Sequence, residues 1–145
     1  MSDDVAVVQR LFAAVEERDL DGLLACYSDD VEITEADALP YGGVWRGRDG
    51  AVGHAMGFLR TWGELQGQGE ARLEARFWED GAGTVCALFR HRAVDATTGR
   101  RFDAPEVGIY RVRDHRVVRS QMFHADTASV IDFLKDAAVS GDSAQ

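Results

Sequence analysis

The stretch GTVCALFRHRAVDATTGRRFDAPEVGIYRVRDHRVVRSQMFH, residues 83–124, decides the fold. It has period two: Phe89 and His91 fall on one face, opposite Arg90 and Arg92, and Tyr110 and Val112 alternate with Arg111 and Arg113. Such alternation predicts half-buried strands, here over about 83–95, 102–112 and 116–124. Thr98-Gly99 and Asp114-His115 supply the turns between them. A further strand over about 70–79, joined through Asp80-Gly81, extends the run to a four-strand antiparallel meander.

Upstream the period changes to 3.6. Val5, Val8, Leu11, Phe12 and Val15 mark an amphipathic helix over 3–18. Asp19 reads as the N-cap of a second, short helix carrying Leu20, Leu23, Leu24 and Tyr27. A strand follows at 30–36, with Val31 and Ile33 alternating with Glu32 and Thr34, and Leu39-Pro40-Tyr41-Gly42-Gly43 has the chemistry of a turn. Asp49 is placed as the cap of a third helix reaching about Trp62, with Val52, Ala55, Met56, Leu59 and Trp62 on one face. Asp126 caps a closing helix that presents Val130, Ile131, Phe133 and Leu134. The class is α+β: a cone-shaped, curved, mostly antiparallel sheet with N-terminal helices packed on its concave face. One domain is expected over 1–138, with 139–145 as a loose tail. The apolar interior of such a cone is a natural small-molecule site.

Charge narrows the function. Of the 25 acidic and 16 basic residues, eleven acids and two bases (Arg10, Arg18) lie in residues 1–40, so the net charge of −9 belongs to the first quarter of the chain. Neither a phosphate backbone nor an anionic lipid surface is a suitable partner for it. No apolar run approaches the roughly 20 residues of a membrane span. Cys26 and Cys86 have no metal or redox spacing and are expected as reduced thiols in a cytoplasm. No Gly-rich phosphate loop, HxH or HExxH occurs, so neither cofactor nor metal is expected.

The tract Tyr27-Ser28-Asp29-Asp30-Val31-Glu32-Ile33-Thr34-Glu35 resembles the nuclear transport factor 2-like superfamily, in its ketosteroid isomerase and SnoaL-like polyketide cyclase branches. Gly43-Val44-Trp45-Arg46-Gly47-Arg48-Asp49 and Tyr110-Arg111-Val112-Arg113-Asp114 carry the same resemblance, which spans about residues 3–135. It implies a cofactor-independent acid/base enzyme for a hydrophobic carbonyl-bearing or polyketide-like molecule, or a non-catalytic ligand binder of the same fold. It also implies a homodimer through the outer sheet face, where Arg72, Glu74, Arg76, Arg90, Arg92, Arg111 and Arg113 fall. Counting along the isomerase tract places the carboxylate base at Glu35. The isomerases' oxyanion tyrosine would fall at Leu11 and their protonated aspartate at Gly108, so both of those donors are missing. Polyketide cyclases have an acid/base residue near the end of the last strand, where this chain has His124.

Four residues are the catalytic candidates. Glu35 shares the inward face of Val31 and Ile33, and a carboxylate in such a setting is a usable proton shuttle. His124 shares a face with Ser120 and Met122 and titrates near neutrality without tuning. His91 points inward beside Phe89 and would donate to a developing oxyanion, unless it is a satisfied core histidine. Glu106 lies on the inward face with Ala104 and Gly108. Asp37 and Tyr41 are placed at the mouth, and Tyr27, Trp62, Phe89 and Met122 complete the set expected to touch substrate. His54 lies off the apolar stripe of its helix and is expected on a solvated face.

Overall fold

A computed structural model describes the backbone of residues 2–143 and the side chains of residues 2–138. Its elements run α1 (Asp3–Glu17), α2 (Leu20–Cys26), β1 (Tyr27–Glu35), β2 (Gly43–Arg46), α3 (Gly47–Trp62), β3 (Arg76–Glu79), β4 (Thr84–Val94), β5 (Arg101–Arg113), β6 (Arg116–His124) and α4 (Thr127–Ser143). The strands form one curved, unclosed six-strand sheet in the order β2-β1-β6-β5-β4-β3. The meander β3 to β6 is antiparallel throughout, as the period-two pattern requires. β1 is the exception: it lies parallel to β6, with Ile33 opposite Ser120.

Helix caps hold α1 and α2 in place. The Ser2 hydroxyl accepts from Val5 N, and the Asp19 carboxylate accepts from Gly22 N. Val8, Leu11 and Phe12 then pack against Val31, Ile33, Val85 and Tyr110 on the sheet. Phe12 sits edge-on to Phe77, Phe89 and Tyr110 with centroid separations of 5.2, 5.0 and 5.7 Å. A second apolar cluster joins Tyr41, Trp62, Phe102, Val130 and Phe133 at the other end of the cone.

Three local expectations change. Residues 70–75 are not strand: Glu74 takes a left-handed φ of 49°, which interrupts the extended chain, and β3 begins only at Arg76. The segment read as turn leads directly into a short edge strand, β2, antiparallel to β1. Helix α3 starts at Gly47 with no side-chain cap, so Asp49 lies inside its first turn, where its charge suits the helix dipole. At the far end, α4 is helical to Ser143. Side chains from 139 onward and residues 144–145, the segment expected as a tail, lie outside the described residues.

Candidate functional site

A cavity of about 170 Å³ lies between the concave sheet face and the helices. Leu11, Phe12 and Leu23 form one wall, Phe58 and Leu59 of α3 another, and Phe89 and Met122 the sheet side. Into this apolar lining project Tyr27, Glu35, His54, His91, Glu106 and Tyr110. At one end the Arg18 guanidinium donates to the carbonyls of Gly63 and Gln66, at 3.0 and 2.7 Å, tying the end of α1 to the segment after α3.

The first polar group is a pair. Glu35 ends β1 on the face of Val31 and Ile33, and His54 Nε2 lies 2.7 Å from its Oε2. The two side chains are 5% and 12% exposed. The expectation of a solvated His54 is therefore corrected. Its helix does not pack through the Val52–Met56–Leu59 stripe; Met56 and Leu59 stay exposed. Helix α3 instead approaches its neighbours through glycines. A Cβ on Gly53 would fall 2.7 Å from Trp45 Cζ3, and one on Gly57 would fall 3.0 Å from Tyr41 Cβ. That close approach rolls the helix so that His54 faces the cavity. The signal was present as Gly50, Gly53 and Gly57, a smooth helix face.

The second group is a triad across three strand positions. Glu106 is the direct cross-strand partner of His124. His91, opposite Ala104, is its diagonal neighbour on β4. His124 Nε2 is 3.2 Å from Glu106 Oε1, and His91 Nδ1 is 3.5 Å from Oε2. All three side chains are nearly inaccessible, at 2%, 7% and 3% exposed for His124, Glu106 and His91. Burial raises the Glu106 carboxyl to about 8; the charge of His124 opposes this and that of Glu35 adds to it. Burial likewise lowers His91 to about 4, against the pull of Glu35. Both shifts favour the uncharged form of the group. The Trp62 ring lies 4.1 Å from the His91 ring and fixes its orientation.

Of the residues expected to touch substrate, Tyr27, Phe89 and Met122 line the cavity together with Glu35, His91 and Glu106. His124 stands behind Glu106 and is not part of the lining. Tyr41 and Trp62 are not in the lining either: both are fully buried in the second apolar cluster, where Trp62 Nε1 donates to the Tyr41 hydroxyl at 2.8 Å. Asp37 is exposed in the loop after β1 and does not reach the cavity. No local spacing announced a metal site, yet the fold brings donor atoms of His91, Glu106 and His124 within 4.8 Å of one another.

The model of the SnoaL-like domain matches residues 8–120. The chain belongs to the SnoaL-like family. An uncharacterised protein of Mycobacterium tuberculosis is 32% identical over 130 residues, covering 90% of this chain and 95% of that protein. An NTF2-like protein of unknown function from Burkholderia pseudomallei has a TM-score of 0.78 at 27% identity, over 92% of this chain and 98% of its own. TerC, co-crystallised with polyporic acid, superposes equally well, with a TM-score of 0.78 at 20% identity over 92% of this chain and 99% of its own. A protein provisionally assigned as a polyketide cyclase, from Xanthomonas campestris, has a TM-score of 0.72 at 19% identity, over 91% and 96% of the two chains.

The space left open at Gly108 is taken by a neighbouring side chain. A Cβ on Gly108 would fall 2.4 Å from the Tyr110 hydroxyl oxygen, so the tyrosine lies over the position where the isomerase pattern has a carboxyl. Its hydroxyl donates only to Met122 Sδ, at 3.6 Å, a weak acceptor that a substrate oxygen would outcompete. Tyr110 is not among the expected site residues, because period two marks only which face a residue takes. How far a long ring reaches along that face depends on the missing side chain at Gly108.

Proposed function

We propose that this SnoaL-like domain is an acid/base enzyme for a hydrophobic carbonyl-bearing or polyketide-like small molecule, catalysing isomerisation, aldol-type cyclisation or dehydration. One observation carries the reading. Glu35 Oε1 is buried with no hydrogen-bond partner, while its other oxygen is held by His54. A carboxylate fixed by one oxygen and free at the other, in an apolar cavity, is arranged to take a proton from carbon next to a carbonyl. Tyr27, Tyr110 and Glu106, protonated at neutral pH and lining the same cavity, are donors for the enolate oxygen that forms. His91 and His124 position Glu106 from behind and beside it. The enclosed apolar walls hold a flexible substrate near its reactive shape.

The test uses 2-tetralone, a small hydrophobic ketone, in deuterium oxide. Wild type accelerates exchange of its α-protons, followed by NMR, and Glu35→Gln removes the acceleration while the chain stays folded. Full exchange activity in Glu35→Gln overturns the assignment. Saturable binding of 2-tetralone with no accelerated exchange favours a ligand carrier, a reading supported by the lack of a hydroxyl at Leu11, which lines the cavity.

Two wider features belong to the proposal. The convex sheet face carries a cross-strand row of Leu88, Val107 and Phe123 among its arginines, with Phe123 51% and Trp78 49% exposed. This supports a homodimer through that face, and an invariant monomer mass by light scattering overturns it. No helix among the described residues is long and apolar enough to cross a membrane, and Cys26 and Cys86 are free thiols, which supports a cytoplasmic setting.

A further inference from the structure

We propose that His91, Glu106 and His124 form a binding site for one divalent transition-metal ion of the zinc, cobalt or iron(II) class, at the wall of the cavity. The contacts within the triad are those of ligands that share an ion. His124 Nε2 stands 3.2 Å from Glu106 Oε1 and His91 Nδ1 3.5 Å from Oε2. Donors about 2.0–2.2 Å from a common tetrahedral or octahedral ion lie about 3–4 Å apart; both contacts fall in that range, and the three donor atoms lie within 4.8 Å of one another. The contact at 3.2 Å is not a hydrogen bond: His124 Nε2 is buried and unpartnered. Buried ring nitrogens almost always have a partner, and an unpaired one beside a buried carboxylate needs a reason. Ligand lone pairs that converge on a point between them, and not on each other, supply one.

The strand frame keeps the donors in register. Glu106 and His124 are a cross-strand pair, and His91 projects from the next strand on the same face. Aromatic rings lock His91, with Trp62 at 4.1 Å, Phe102 at 5.8 Å and Phe58 at 5.9 Å. Two imidazoles and one carboxylate select borderline transition metals over calcium or magnesium, which take oxygen ligands. Uptake of the ion releases the Glu106 proton, and the dication supplies the positive charge that burial otherwise denies a carboxylate; Glu106 is then a ligand, and its role as hydrogen-bond donor belongs to the metal-free protein. His91 and Glu106 both line the cavity, so a coordination position left open by three protein ligands is accessible from it. An ion there would polarise a substrate carbonyl. The site goes beyond the Glu35 reading and does not depend on it, because metal uptake is measured without turnover.

The experiment uses the full, untagged chain, stripped with chelator and dialysed, then titrated with Zn(II) by calorimetry and Co(II) by visible absorption. One equivalent binds. His124→Asn and Glu106→Gln each weaken uptake by about 10- to 100-fold or more, while His115→Asn leaves it unchanged. Should the triad variants fail to fold, Co(II) added to ¹⁵N-labelled wild type locates the ion, with paramagnetic broadening centred on the amides of residues 91, 106 and 124. Absence of saturable uptake up to about 100 μM, a Kd equivalent to little more than 5 kcal/mol, overturns the proposal. So does broadening centred elsewhere, or uptake insensitive to folded triad variants.

Discussion

His54 Nε2 lies 2.7 Å from Glu35 Oε2 although the two residues are nineteen apart in the chain, one ending a strand and the other inside a helix. The pair positions the carboxylate: with Oε2 engaged, Oε1 is left without a partner, and it is the oxygen that the proposed function assigns to substrate. Glu35→Gln should lower 2-tetralone exchange by about 10²- to 10⁴-fold, the usual share of a general base. His54→Asn should cost less in rate, since it releases Oε2 and leaves the carboxylate in place. Full exchange activity in a folded His54→Asn protein would show that the pair is structural.

Gly53→Ala tests how α3 is seated. Alanine gains up to about 1 kcal/mol of helix propensity over glycine. The new methyl would meet Trp45 Cζ3 at 2.7 Å, and overpacking of this kind costs about 1–3 kcal/mol. The variant should melt below wild type and lose exchange activity as His54 is pushed from Glu35. A melting temperature at or above wild type would show that the close approach matters little.

Trp62→Phe removes the indole N–H that donates to the buried Tyr41 hydroxyl. The orphaned hydroxyl should cost about 1–3 kcal/mol, read by urea unfolding. Adding Tyr41→Phe should recover part of that loss, since the polar group left unpaired is then gone. Failure of the double variant to recover any stability would place the cost in packing alone.

The hairpin before β4 carries a pH dependence of defined sign. Asp80 Oδ1 accepts from Ala82 N at 2.7 Å and from Thr84 N at 3.0 Å, and these bonds hold the carboxyl below its usual range. A depressed folded value means that its stabilisation is present above about pH 4, the unfolded value. It is lost as pH falls through the lower folded value. The stability deficit of Asp80→Ala, measured by urea unfolding, should therefore be largest at neutral pH and shrink as pH falls below the unfolded value of about 4. A deficit independent of pH would exclude charge as its source.

Much of this molecule is legible in one dimension because strands and helices write their burial into a short period. Alternation through Val31, Ile33 and Glu35 put the carboxylate on the inner face, and it is buried there. The same period brought Phe89, His91, Glu106 and Met122 to the concave side. Asp19 and Asp126 cap the helices assigned to them, with Asp126 accepting from Ser129. Tyr41 and Trp62 illustrate the opposite case. Tyr41 is expected at the cavity mouth and Trp62 against substrate, but their polar tips satisfy each other inside the apolar cluster.

What the sequence determined by itself is the order of elements other than the edge strand β2, the face each strand residue takes and the acidic residue at the inner end of β1, since each follows from local periodicity and capping. What only the tertiary structure decided is which polar groups meet. The roll of α3 on its glycines gave Glu35 its histidine, and the register of β4, β5 and β6 gathered His91, Glu106 and His124. Helix roll depends on contacts between chain segments distant in sequence, and so does the meeting of residues from three strands. The glycine face of α3 marks only where a close approach is possible, and no local pattern encodes the meeting of the strands.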